Sequence, residues 1–370
     1  MRTPGQRIRE VKMVNHFRWL SIALLGAVAF GAHAQPACTV PAGTSSFEFK
    51  SGQNILRGFI DRPASPGRHP AILIIHGSGS TDVTHGDGGY LSSYDEMRAA
   101  FRRSGFATVI WDKAGNGCSE GRYAVATPLI EQTDETIAAI DALSNRDDID
   151  PTRIGLWAIS LGAWIAPMAA VRRPEIAFLI VVSAPGGDAL AQTEYNVLNR
   201  LRQSGVGSAE AQTAVATLRR AYALANAGAS HREFLAAIEP LEKYPVFGEF
   251  GITETPQMKT SPVAEATFRT NQQARDLLLR ADTYLRELHQ PTLAIFGGRD
   301  TQVDWRASIR AYRESFALAG NRELTIKVFD DVGHNLYRDG TSDATHPSRF
   351  VAGYIELMVD WLQAHGPKRK

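Results

Sequence analysis

Arg153-Ile154-Gly155-Leu156-Trp157-Ala158-Ile159-Ser160-Leu161-Gly162-Ala163-Trp164-Ile165-Ala166-Pro167 is the stretch on which the reading of this chain turns. Its first half is apolar enough for a buried strand. From Ala158 small residues flank a lone serine, and an Ala-rich helical pattern follows. A sharp strand-to-helix turn needs small residues two positions either side of its centre, and Ala158 and Gly162 hold those places. Such a turn exposes the Ser160 hydroxyl, while the start of the next helix and the Leu161 N–H favour a developing oxyanion beside it. Ser160 is therefore a candidate nucleophile, the alternative being an ordinary helix N-cap serine. Ala158 adds one methyl to the Gly-x-Ser-x-Gly pattern.

Upstream, Phe47–Phe49 and Ile55–Ile60, separated by Ser51-Gly52-Gln53-Asn54, predict a hairpin. Pro70–Ile75 is an uninterrupted apolar run of the kind buried on both faces of a parallel sheet. It ends in His76-Gly77-Ser78-Gly79-Ser80, a Gly-rich loop at the strand end where α/β sheets build ligand sites. The Gly77 or Ser78 N–H is a candidate oxyanion donor beside Leu161, and His76 reads as a structural histidine rather than a base. The loop has neither Gly-Lys-Ser/Thr nor a Gly-x-Gly-x-x-Gly pattern, so phosphate and dinucleotide binding are not expected. The polar run from Thr84 to Gly89 reads as a solvated turn bordering the site.

A helix is predicted over Ser93–Ser104, a strand over Phe106–Trp111, and a Gly-punctuated structural loop over Asp112–Gly121. Another helix over Pro128–Leu143 precedes the Ser160 turn, and Ile176–Val182 is the next parallel strand. From about Asp188 apolar residues recur at helical spacing with no strand-like run until Pro291, which predicts a helical insertion placed as a lid. Pro245–Ile252 reads as an irregular connection within it. Pro291–Phe296 and Glu323–Phe329 complete the sheet, with helices over Trp305–Ala319 and Phe350–Gln363. The last two strands end in Gly297-Gly298-Arg299-Asp300 and Asp330-Asp331-Val332-Gly333-His334.

The 370 residues carry 40 Lys+Arg against 39 Asp+Glu, a formal net charge of +1. No strong field gathers nucleic acid or an anionic membrane. Arg2, Arg7, Arg9, Lys12 and Arg18, the apolar Trp19–Gly31 and Ala32-His33-Ala34 form a secretory signal cleaved after Ala34, which implies a periplasmic or secreted protein. The apolar run is short for a membrane span, and Gln35-Pro36-Ala37 before Cys38 lacks the Leu of a lipoprotein signal. Cys38 and Cys118 can pair or remain as thiols; sequence leaves both open. No Cys/His spacing suits zinc, and no metal or cofactor is expected. The predicted organisation is thus a signal peptide (1–34), a first core segment (35–187), a helical lid (188–285) and a second core segment (286–370).

Alternating strands and helices imply a doubly wound, mostly parallel α/β sheet. Three strand ends then offer Ser160, Asp300 and His334, in the order nucleophile, acid, base. With His76-Gly77-Ser78-Gly79, Asp112-Lys113-Ala114-Gly115, Gly117-x-Ser119-x-Gly121, the Ser160 turn, Gly297-Gly298-Arg299-Asp300 and Gly333-His334, the chain resembles the serine-hydrolase branch of the α/β-hydrolases. Serine aminopeptidase-like and dienelactone-hydrolase-like bacterial esterases are the similar groups, over roughly Phe47–Gln363. Leu161-Gly162-Ala163 departs from the Gln-Gly-Gly common after the serine in such proteins. The resemblance implies a catalytic triad acting on a small ester or a short peptide-like substrate. Asp330 and Asp331 are rival acids that read as solvated. An amidase or peptidase needs a carboxylate for the substrate amine, for which Glu239, Glu242, Glu249, Glu254 and Glu265 are available. A binding protein with an inactive site is a third reading.

Overall fold

A computed structural model of the chain describes residues 38–85, 91–123, 127–249, 252, 279–338 and 349–365. The signal segment, Glu254 and Glu265 lie outside these residues.

Eight strands form one sheet: β1 (Ser45–Ser51), β2 (Asn54–Asp61), β3 (His69–Ile75), β4 (Ala107–Trp111), β5 (Ile149–Ile159), β6 (Leu179–Val182), β7 (Thr292–Gly297) and β8 (Leu324–Phe329). Their spatial order is β1-β2-β4-β3-β5-β6-β7-β8. The β1–β2 hairpin pairs antiparallel, with Ser51 opposite Asn54, and β2 pairs antiparallel with β4. From β4 through β8 every pairing is parallel, as the sequence predicts.

The parallel strands are apolar without alternation because both faces of the sheet are covered. Period-two geometry divides each strand between two cores. Ala71, Leu73, Ile75, Leu156 and Ala158 face one cluster, with side chains of α2 (Leu129–Ser144), α3 (Gly162–Arg172) and α9 (Trp305–Leu318). Ile72, Ile74, Trp157 and Ile159 face the other, with α1 (Leu91–Arg103) and α10 (Tyr354–His365). Each such Leu, Ile or Val contributes about 1.5–3 kcal/mol by leaving water.

Between β6 and β7 lie α4 (Ala189–Gln203), α5 (Ser208–Asn226), α6 (His231–Ile238), a 3-10 turn (Glu239–Leu241), α7 (Pro245–Glu249) and α8 (Ala281–Leu285). Val197, Leu201, Leu218, Tyr222, Phe234 and Phe247 give this helical segment a third core of its own. Ser230 and Glu233 start α6 with a reciprocal capping box. Two expectations shift. Pro245–Glu249, read as irregular, is a short helix, with Pro245 at its first position. The last helix begins at Tyr354 rather than Phe350: Gly353 takes φ +82°, which no helix accommodates, and Phe350 instead bridges Tyr337.

Cys38 and Cys118 are joined in a disulfide, with Cα atoms 5.9 Å apart and a sequence separation of 80. Among the described residues, no helix is long and apolar enough to cross a membrane.

Candidate active site

Ser160 stands one residue beyond β5 with φ +55°. This left-handed conformation costs a non-glycine residue about 1–2 kcal/mol, so the surroundings must hold it. Its N–H donates to Val182 O on the neighbouring strand at 3.0 Å, and its carbonyl accepts from Ala163 N at 2.9 Å as α3 begins. A Cβ on Gly162 would lie 2.5 Å from Ile75 O and 2.7 Å from His76 O. Glycine is therefore what lets α3 start this close to the end of β3. The Ala158 methyl is buried in register with Ile75 and Val181, so the departure from glycine is absorbed by the core.

Asp300 follows β7 and His334 follows β8. His334 Nδ1 lies 2.8 Å from Asp300 Oδ2, and the Asp300 side chain is wholly buried. The other carboxylate oxygen accepts from the Gln302 and Val303 N–H groups at 2.8 and 2.9 Å. Three donors thus fix the carboxylate as an acceptor and leave the imidazole proton on Nδ1, with Nε2 facing onward as an acceptor. The rival acids Asp330 and Asp331 are exposed, and Asp331 pairs with Arg299.

β6 and the residue after it link the Ser160 turn to the His334 loop. Ser183, immediately after β6 and also at positive φ (+46°), donates its hydroxyl to His334 O at 2.6 Å. β6 in turn lies beside β5, whose end carries Ser160. On the other side, a Cβ on Gly77 would stand 3.4 Å from Ser160 Cβ, which puts the Gly-rich loop directly against the serine. Among the described residues, the Gly77, Ser78 and Leu161 N–H groups donate to no acceptor within the chain. An anion beside Ser160 can use such donors.

The loop after β4 supports this edge, and sequence reasoning missed how closely. Asp112 is fully buried and accepts from Val83 N at 2.6 Å and Thr84 Oγ1 at 2.5 Å. Burial pushes its carboxyl above the usual range, against those hydrogen bonds. Thr84, read as solvated, is buried because its hydroxyl joins this network and accepts from Cys118 N. Lys113 Nζ donates to Gly77 O at 2.6 Å and Gly79 O at 3.0 Å. His76 Nε2 donates to Trp111 O at 2.9 Å, and burial, with the Lys113 charge, lowers its pKa to about 3. It is a neutral structural histidine, as expected from its place at the strand end. The only sequence signal for the Asp112-Lys113 network was its position at the carboxyl end of a parallel strand, where side chains reach the ligand crevice.

The described residues include no group of three or more His, Cys, Asp or Glu placed to hold a metal. Together the site can carry a serine nucleophile, a histidine base oriented by a buried carboxylate, and backbone donors for an oxyanion.

Comparison with known proteins agrees with the fold. The family model described as serine aminopeptidase, S33, matches residues 78–227. Esterase EstD of Thermotoga maritima is 25% identical over 327 residues, covering 85% of this chain and 66% of its own. An uncharacterized 31.7 kDa protein of Escherichia coli is 32% identical over 135 residues, 36% of this chain and 44% of its own. The chain therefore spans less than two thirds of the length of these curated relatives. Pyrococcus horikoshii acylaminoacyl peptidase superposes with a TM-score of 0.55 at 16% identity, over 88% of this chain and 42% of that one. A Pyrococcus furiosus esterase does so at 0.52 and 13% identity, over 88% and 92%. The chain has the α/β-hydrolase fold, and residues 78–227 match the serine aminopeptidase family model.

Proposed function

We propose that the protein is an exported serine hydrolase that cleaves carboxylic esters through an acyl-enzyme on Ser160. The observation that carries the reading is Ser160 held at positive φ on the strand-to-helix turn, at the same carboxyl end of the sheet as the buried Asp300–His334 contact. In this reading His334 Nε2 takes the Ser160 proton as Oγ bonds to the ester carbonyl carbon. The oxyanion is received by the Leu161 N–H and an N–H of the Gly77-Ser78 segment. Collapse expels the alcohol, which leaves with the proton from His334; water then enters by the same route and releases the acid. Asp300 keeps the imidazole oriented and stabilises its cation. The segment 188–285 serves as a lid over the site. Tyr195 of α4, whose hydroxyl donates to Asp300 O at 3.0 Å, supports that placement. The Cys38–Cys118 disulfide supports export to an oxidising compartment.

The serine aminopeptidase description of the family model favours a second reading, a peptidase or amidase on the same triad. Glu249, one of its candidate amine ligands, is engaged by Arg200. Mass spectrometry after a fluorophosphonate probe tests the nucleophile. A single adduct on Ser160, absent from Ser160→Ala, is expected; turnover of short-chain esters against aminoacyl amides then separates the two readings. An unmodified protein, under conditions where a known serine hydrolase reacts fully, would leave the inactive binding protein as the better account.

A further inference from the structure

Lys113 is 9% exposed, and its ammonium lies against the backbone of the loop that touches Ser160. The two carbonyls it holds, those of Gly77 and Gly79, flank the Ser78 residue. In a trans peptide the C=O and the following N–H point in opposite directions. Fixing Gly77 O toward Lys113 therefore fixes the Ser78 N–H away from it. Lys113 is itself tied down: its own N–H donates to Thr81 Oγ1 at 2.9 Å, within the same loop.

We propose that Lys113 is a positioning residue for the oxyanion site: by holding the Gly77 and Gly79 carbonyls it sets the direction of the Ser78 N–H, making Ser78 rather than Gly77 the second donor beside Leu161. The inference rests on the serine-hydrolase reading above. It also accounts for a buried lysine that the proton transfers leave without a part.

The charge balance around the ammonium comes from three elements. Glu135 of α2 shares a small pocket with it, together with Gly79, Gln132 and Leu161. Glu131 lies one turn before Glu135, Asp112 precedes Lys113 on the loop, and His76 follows β3 and is neutral. Burial lowers the Lys113 pKa to about 8 despite the Glu135 charge. Burial raises Glu135 to about 7, against the pull of Lys113 and the Ala114 N–H. The ammonium is thus protonated at neutral pH and loses its charge at mildly alkaline pH, where its hydrogen bonds to the carbonyls weaken.

Steady-state ester hydrolysis by the full-length protein, its Ser160 reactivity first verified with the fluorophosphonate, tests this with Lys113→Met, Lys113→Arg and Glu135→Gln. Lys113→Met is expected to lose about 10²–10³-fold in kcat, the scale of removing an oxyanion donor, with KM within about threefold. Lys113→Arg recovers at least about tenfold of that loss, because the guanidinium again donates to both carbonyls. The wild-type kcat declines above about pH 8, a limb that Lys113→Arg removes and Glu135→Gln moves to lower pH. The Glu135→Gln shift tests the idea even if Lys113→Met fails to fold. An active wild type whose Lys113→Met variant keeps kcat within about threefold, or whose alkaline limb is the same in all variants, overturns the positioning role alone. A wild type inert to the probe overturns the hydrolase reading with it.

Discussion

Replacing Asp300 with asparagine tests the proposed triad with little change of shape. Asparagine keeps an oxygen where the Gln302 and Val303 N–H groups donate, so the turn after β7 stays anchored. At the other position an amide nitrogen replaces the oxygen 2.8 Å from His334 Nδ1. Two N–H donors cannot face one another, so the imidazole moves its proton to Nε2 and accepts at Nδ1. Nε2 then has no lone pair for the Ser160 proton. Loss of the correct tautomer lowers kcat about 10⁴-fold in serine triads, equivalent to about 5.4 kcal/mol of barrier at 1.36 kcal/mol per decade. The assay is initial-rate hydrolysis of a p-nitrophenyl ester, with kcat and KM determined separately and thermal unfolding measured in parallel. The expected variant unfolds near the wild-type temperature, binds substrate with similar KM and turns over about 10⁴-fold more slowly. Turnover within tenfold of wild type in a folded variant would refute the assignment of Asp300 as the orienting acid.

Other outcomes follow from features away from the triad. Gly162→Ala drives a methyl into the Ile75 and His76 carbonyls and is expected to destabilise by about 1–3 kcal/mol, with lower activity as α3 shifts; an unchanged denaturation midpoint would contradict the close approach. Opening the 80-residue separation of Cys38 and Cys118 with paired serines should cost about 4.5 kcal/mol on the chain-entropy estimate, read as a lowered urea midpoint; a loss under 1 kcal/mol would show that the hydrogen bonds of the loop suffice. His76 has a native pKa of about 3 against 6.5 unfolded, so the unfolded chain binds the extra proton between those values and the associated stability, complete above pH 6.5, is lost as pH falls. Wild type minus His76→Gln stability should accordingly rise with pH by up to about 1.4 kcal/mol per unit across that window; a flat difference would contradict a neutral buried imidazole. Subtraction is needed because Glu135, raised to about 7, contributes the opposite slope between its unfolded value and pH 7.

Strand positions were legible because a parallel strand covered on both faces has to be apolar throughout, and Pro70–Ile75, Phe106–Trp111 and Pro291–Phe296 are. The Ser160 turn was legible because its steric demand falls on sequence neighbours, Ala158 and Gly162. What escaped detection depends on contacts between residues distant in sequence. Nothing in Thr84 or Asp112 alone announces that they meet across 28 positions in a buried network, so in sequence the polar loop reads as a wet one. Two isolated cysteines carry no spacing rule, and the choice between Gly77 and Ser78 turns on the direction of a peptide plane, which composition does not encode. Ser183, a second serine at positive φ, lacks the small-residue frame that marks Ser160.

The disulfide makes a covalent ring of the chain from Cys38 to Cys118, and that ring contains β1 through β4 and the whole of the His76–Ser80 loop. A protease that cuts one peptide bond inside it linearises the ring without releasing a fragment. The nicked protein would run at full mass on a non-reducing gel and separate only after a thiol is added. Cleavage at the exposed Ser78-Gly79-Ser80 tip could thus pass unseen while altering activity, and stability in protease-rich surroundings would have to be judged on reduced samples.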